Sequence, residues 1–289
     1  MTVLRVLRWE LFKLLRRRAS YVGFGLCVLF CAVVMLGFAY SQWRGLRANA
    51  GFLADPSRFV NGYFYANFCL EIASFSLLPL FAAVIPGSQL AGEARDGTLR
   101  ALLVRPPSRP AVFAAKAIAS YAWIQLMVLF LLGFALVLGL IALGGGDLMI
   151  YVWEYRRQGP WFADSDDRIW IFLTTAAACG ASLFMVCAFA LMLSSFTDNP
   201  VVAHVGTLGA FFISSVVQRL PERVMEPEFK AMMPTKHMSF WHELQHLWHP
   251  DPTRFDAARM WNDLTWVTSY TALFLLIGLT VFWRRDITA

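Results

Sequence analysis

Charge is scarce in this chain. Only 15% of its 289 residues are Asp, Glu, Lys or Arg, 58% are hydrophobic, and the mean hydropathy is +0.55. So few charges cannot cover a soluble domain of this length, which excludes that class. Cysteine is sparse too. Cys27, Cys31, Cys69, Cys179 and Cys187 all fall inside apolar runs, so no pair of loop cysteines can staple an outer domain. No Gly-x-x-x-x-Gly-Lys-Ser/Thr loop occurs, so the chain has no P-loop with which to cradle a nucleotide. The apolar runs lack the period-two alternation of barrel strands. A small-x-small cleavage pattern is missing after the first of them, so the basic leader and its apolar run read as a retained helix.

What remains is long apolar sequence. A helical span needs about 20 mostly apolar residues to cross roughly 30 Å of hydrocarbon. Six windows qualify: Ser20 to Tyr40, Phe68 to Leu90, Val112 to Leu143, Ile169 to Ser194, Val201 to Val217 and Leu264 to Trp283. Lipid offers no partner to a bare N–H or C=O, so these windows are expected to be helices. The fold expected is an all-α integral membrane protein forming one transmembrane domain over residues 1–289.

The basic residues orient it. Arg5, Arg8, Lys13, Arg16, Arg17, Arg18, Arg95, Arg100, Arg105, Arg109, Lys116, Arg284 and Arg285 flank one set of span ends, and the remaining Lys and Arg lie in longer, more acidic segments. The positive-inside bias places both termini in the cytoplasm of a cell inner membrane. The net charge of +6 is then a membrane-surface signal, with lipid as the partner and no nucleic acid.

Before the first span, in residues 1–19, Leu4, Leu7, Leu11, Leu14 and Leu15 share one helical face and Arg5, Lys13, Arg16 and Arg17 the other, which predicts an interfacial helix. Pro79 and Pro86 are expected to bend the second span. Glu71 is expected to snorkel within about one turn of that span's outer edge. The run Ala176 to Ser182 in the fourth span, with Gly206 and Gly209 in the fifth, permits close helix approach; His204 reads as interfacial. Residues 144–168 form an outer loop whose Trp153, Tyr155 and Trp161 suit the aromatic belt and whose Asp164, Asp166 and Asp167 suit a solvated helix start. Residues 218–263 are too long for a bare loop and predict two or three short helices on the outer surface.

One motif points elsewhere. His242-Glu243-Leu244-Gln245-His246 matches H-E-x-x-H, in which two histidines one turn apart bind zinc and the glutamate is a general base. His249 extends that face and His237 lies upstream. A metallopeptidase using His242, Glu243 and His246 is the enzyme-class alternative, and an accessory membrane protein that moves no substrate is another. The competing reading is an amphipathic helix with Trp241, Leu244 and Trp248 toward lipid and the histidines toward water. On it the chain holds no metal, with His242, His246 and His249 only as candidate ligands.

Between the second and third windows, Glu93-(x₃)-Gly97-Thr98-Leu99-(x₂)-Leu102-Leu103-(x₂)-Pro106-x-Ser108-Arg109-(x₆)-Lys116 resembles the corresponding connection of ATP-binding cassette type-2 permeases. Three other pieces agree: Glu10-Leu11-(x₂)-Leu14-Leu15-Arg16, Ser194-Ser195-Phe196-(x₂)-Asn199-Pro200 and Phe282-x-Arg284-Arg285-Asp286-Ile287. The resemblance implies a permease subunit, usually paired with a second permease copy, on two cytoplasmic ATPase subunits that bind the ATP and Mg. This chain would bind no cofactor, would not itself be an enzyme, and would couple the ATPase to translocation, with export as the implied direction. Residues 91–110 would be the coupling helix. Its surface contacts would be Glu93, Arg95, Arg100, Arg105 and Arg109, its apolar ridge Leu99, Leu102 and Leu103, and Gly97 and Thr98 its start, with Pro106 and Ser108 completing the element. Asn199 and Pro200 would form a second, smaller cytoplasmic contact.

Overall fold

The computed structural model describes residues 3–16, 18–43, 60–98, 108–150, 161–163, 166–221 and 223–285. Its long elements are helical. In chain order they are α1 (Val3–Arg16), α2 (Arg18–Trp43), α3 (Gly62–Phe75), α4 (Leu77–Gln89), α5 (Ala91–Arg95), α6 (Arg109–Leu143), α7 (Arg168–Phe196), α8 (Pro200–Arg219), the short α9 (Pro227–Ala231), α10 (Pro234–His237) and α11 (Phe240–Gln245), and α12 (Ala257–Arg284). Six of the helical segments are long and apolar enough to cross a membrane, and each lies on one of the six expected windows.

The second window is where expectation and structure part. It is two helices, α3 and α4, joined at Ser76. Pro79 explains the position of the break, because its ring would collide with the carbonyl of Phe75 in a continuous helix. Pro86 stays inside α4. Since α3 starts at Gly62, Glu71 lies nine residues into it, a rise of about 13 Å, and not within one turn of the edge. Asn61 fixes that start by accepting from the Tyr63 and Phe64 amides at 3.0 and 3.1 Å.

The bundle is organised around α7, which packs on α4, α6, α8, α11 and α12. Its small-residue run admits Gln125 of α6, whose Nε2 donates to the Ala176 carbonyl at 3.1 Å. Between α3 and α6 the backbones nearly touch. A Cβ on Gly139 would lie 2.8 Å from the Gly62 carbonyl oxygen, so glycine is required at this crossing. The ring of half-buried His204 lies over Gly87 of α4, where a Cβ would meet His204 Cδ2 at 2.6 Å.

The all-α expectation needs one amendment. Residues Leu148–Ile150 (β1) and Trp161–Ala163 (β2) pair antiparallel, with Leu148 opposite Ala163 and Ile150 opposite Trp161. These four side chains join the core; β2 alternates, with Phe162 facing out, whereas β1 is buried throughout, Met149 included. The ribbon is tied to the bundle by Arg168, whose Nη2 lies 3.3 Å from Asp147 Oδ1, and by Asn61 Nδ2 donating to the Asp147 carbonyl at 2.6 Å.

Candidate functional site at the basic end of the bundle

The helix α1 does not simply float on a surface. Val6, Glu10 and Leu14, spaced four apart, are its buried residues, whereas Leu4 and Leu15 are exposed. One turn of helix separates each of the three, so they form a stripe that packs along α6. That stripe carries a carboxylate inward. Lys116 of α6 is fully buried, and Glu10 and Glu93 are nearly so.

These groups meet in a closed alternation of charge. Lys13 Nζ lies 3.1 Å from Glu10 and 2.9 Å from Glu93, and Lys116 Nζ lies 3.3 Å from Glu10 and 2.8 Å from Glu93. Two cations and two carboxylates sum to zero, so each desolvated charge has two opposite neighbours, the condition under which buried ions are tolerated. Burial alone would lower the Lys13 pKa, but the carboxylates of Glu93 and Glu10 outweigh it and hold the ammonium above its ordinary 10.5. Three chain segments far apart in sequence, α1, α5 and α6, are thereby held to one another by ion pairs.

Glu93 is therefore not the exposed contact that its motif suggests. It is the inward anchor of α5, and Arg95, Asp96, Gly97 and Thr98 just beyond it are the exposed residues. Arg95 and Asp96 pair at 3.2 Å on the surface, a contact worth about 0–1 kcal/mol. Gly97, at φ +69°, lies in the turn that ends α5, its amide donating to the Ala94 carbonyl at 3.1 Å, and helical backbone resumes at Thr98, the place expected of these two residues. Thr98 Oγ1 donates back to the Glu93 carbonyl at 3.3 Å. The expected ridge Leu99, Leu102 and Leu103, with Arg100, Arg105 and Pro106, lies outside the described residues. Ser108 is the exposed cap position of α6.

The other pieces of the resemblance close around the same end. The break between α4 and α5 leaves backbone amides without helical partners. Ser194 of α7 receives them, accepting from the Leu90 and Ala91 amides at 3.2 and 2.9 Å while donating to the Gly87 carbonyl at 2.7 Å. Arg109 does not project to solvent as a free contact. Its Nη1 donates to the Trp283 and Arg285 carbonyls at 2.7 and 2.8 Å, satisfying the last turn of α12. Arg285 in turn donates from Nη1 to the Ser195 carbonyl at 3.1 Å and from Nη2 to Asp198 at 2.5 Å. Asn199 is exposed and caps α8 by accepting from the Val201 amide at 3.0 Å, with Pro200 at the first helical position and buried. Ser194, Arg285 and Lys116 were visible as motif letters, but Ser194 meets Leu90, Arg285 meets Ser195 and Lys116 meets Glu10 across 104, 90 and 106 residues.

At the opposite end the histidines face inward, contrary to the amphipathic reading. His237, His242 and His246 are buried, as is Trp241, while Leu247 is exposed. The reason is that polar partners await them inside. His242 Nε2 lies 2.6 Å from Glu71 Oε2, so with the carboxylate ionised the ring N–H donates. Gln245 Nε2 donates to Asn67 Oδ1 at 2.9 Å. His237 sits between Asp263 and the Ala231 carbonyl at 2.7 and 2.8 Å, stacked on Trp266. Glu71 is thus held by an internal partner and does not snorkel.

The H-E-x-x-H residues do not converge on a point. His242 turns to Glu71, Glu243 accepts from the Asp256 amide at 2.8 Å, His246 lies against Trp161, and His249 Nδ1 accepts from the Asp251 amide at 2.9 Å. Among the described residues no three His, Cys, Asp or Glu side chains are grouped as metal ligands. Burial holds the His246 imidazole below its ordinary pKa of 6.5.

A comparison with curated proteins finds no match. A family model does match residues 28–288, from within α2 to the penultimate residue, and on that match the chain belongs to the family described as "Protein of unknown function (DUF2705)".

Proposed function

We propose that this chain is the membrane-spanning subunit of an ATP-driven transporter, with the energy supplied by separate cytoplasmic ATPase subunits. The observation that carries this reading is the buried Glu10–Lys13–Glu93–Lys116 network. It makes the α4–α5 connection part of a rigid joint with the surface helix α1 and the span α6. A load applied to the exposed segment from Arg95 to Thr98 is then transmitted to two elements through ion pairs, and to α7 through Ser194. A connection that merely obeyed the positive-inside bias would need no such anchor.

In this reading the basic end faces the cytoplasm of the inner membrane, with both termini there. Residues 91–110 dock on the ATPase, and the exposed turn at Asn199 is the second contact. The break at Ser76 lets α3 and α4 tilt separately, a two-state element of the kind that alternates access. Two chains and two ATPases form the export unit.

The test is copurification. In cells, Leu102→Asp together with Leu103→Asp should abolish recovery of a Walker-motif ATPase with the tagged chain, while membrane insertion and thermal unfolding stay as in the parent. An ATPase that remains bound at parental stoichiometry would overturn the docking assignment.

A further inference from the structure

A cavity of about 560 Å³ lies between α3 and α8 toward the histidine end, within the range of about 300–1,000 Å³ typical of small-molecule sites. Its walls are chemically ordered. α3 contributes Glu71 and Phe75, with Ser76 at its end; α8 contributes Phe212, Ser215 and Arg219.

The two helices run in opposite directions, and this sorts the lining by depth. On α3, Phe75 lies one turn beyond Glu71, about 6 Å further toward the middle of the bundle. On α8, Phe212 precedes Arg219 by two turns, about 10 Å, again toward the middle. Both charges therefore sit on the histidine-end side of the cavity and both rings on the inner side. Glu71 is also fixed in place, because buried His242 holds its Oε2 from behind at 2.6 Å. Exposed Arg219, by contrast, is free to reach.

From this arrangement we infer that the cavity binds a zwitterionic phospholipid with a primary ammonium headgroup, the ammonium on Glu71, the phosphate on Arg219 and the acyl chains along Phe75 and Phe212. A carboxylate and a guanidinium on facing walls complement a headgroup carrying both signs. An anionic headgroup would leave Glu71 opposed, and a quaternary ammonium offers it no N–H donor. Two hydroxyls also line the cavity below the charges: Ser76, next to Phe75, and Ser215, one turn before Arg219, donate to the Ile72 and Phe211 carbonyls at 2.7 and 2.9 Å and keep oxygen lone pairs that can accept. The inference names a ligand class for the proposed permease, but it needs only the membrane-embedded chain.

The experiment is a titration of the detergent-purified full chain, without ATPase, with dioleoyl phosphatidylethanolamine, phosphatidylcholine or phosphatidylglycerol, bound lipid being counted by native mass spectrometry. The ethanolamine lipid should bind about tenfold more tightly than either rival, the ratio expected of one charge-assisted hydrogen bond. Glu71→Gln keeps an acceptor for His242 and should bring the ethanolamine and glycerol lipids to equal affinity. Arg219→Gln should weaken the phosphatidylethanolamine by about tenfold, and Ser215→Trp should block all three by filling the cavity. Equal affinities in the parent, or an unchanged preference in a folded Glu71→Gln, would overturn the assignment. So would a cationic peptide or free phosphorylethanolamine that displaces the lipid at equal concentration. Because no ATPase is present, a failure here leaves the copurification result standing, and the reverse also holds.

Discussion

Replacing Lys116 by Met should be among the most damaging single changes at the basic end, and the ion network sets its size. Lys116 is fully buried and supplies half of the four close ion contacts. Its loss leaves Glu10 and Glu93 sharing Lys13 alone, with one uncompensated negative charge in a desolvated site. Breaking a buried pair from one side costs about 3–5 kcal/mol. Adding Glu93→Gln removes the surplus charge, leaving Lys13 with Glu10 at 3.1 Å and an amide that can still accept from Lys13. The double variant should therefore recover about 2 kcal/mol relative to the sum of the single changes, within the range of coupling seen between contacting residues. The assay is chemical unfolding of the parent, both single variants and the double variant in one detergent, repeated in high salt. Salt should leave the coupling nearly intact, since the charges are screened little when buried. Additive single effects, with a coupling below about 0.5 kcal/mol, would refute the closed network.

Four further outcomes rest on the packing and hydrogen bonds of the bundle. Gly139→Ala forces a Cβ onto the Gly62 backbone and should destabilise by about 1–3 kcal/mol. Gly133→Ala in the same helix meets nothing within 4 Å and should gain up to about 1 kcal/mol from helix propensity, both read by thermal unfolding. Arg109→Ala strips donors from the last turn of α12, and hydrogen exchange near Trp283 should accelerate while that near Leu264 does not. The lowered His246 pKa means that the unfolded chain protonates first as pH falls. Its contribution to stability is complete above the ordinary 6.5 and is lost as pH drops through 6.5 toward the folded pKa; His246→Gln should flatten that part of the parent's stability–pH curve. His242→Ala leaves the Glu71 carboxylate without its donor and should cost about 2–4 kcal/mol, whereas a zinc-dependent stability lost on chelation would contradict the placement of these side chains.

The spans were legible because lipid imposes a one-dimensional rule: about 20 apolar residues without charge form a helix wherever they occur. Five of the six windows agree with their helices to within a few residues at most ends, although α12 begins earlier than Leu264 because its first two turns are polar. The second window failed at its start, since Asn61 and Gly62 are neither apolar nor periodic and act through a cap and a close crossing. The histidine segment failed for a different reason. Facing Trp241 to lipid and His242 to water assumes that water is the only partner for an imidazole, and Glu71, 171 residues away, is another.

Composition and hydropathy alone determined that this is a helical chain with six membrane-length segments, and the basic residues marked which of their ends belong together. Local chemistry of that kind depends only on neighbours in sequence. Only the tertiary structure decided that Glu93 is an anchor rather than a surface contact and that the H-E-x-x-H residues serve separate partners. Each of those depends on a charge or donor brought from a distant segment, and pairing across such distances leaves no periodic trace in the sequence.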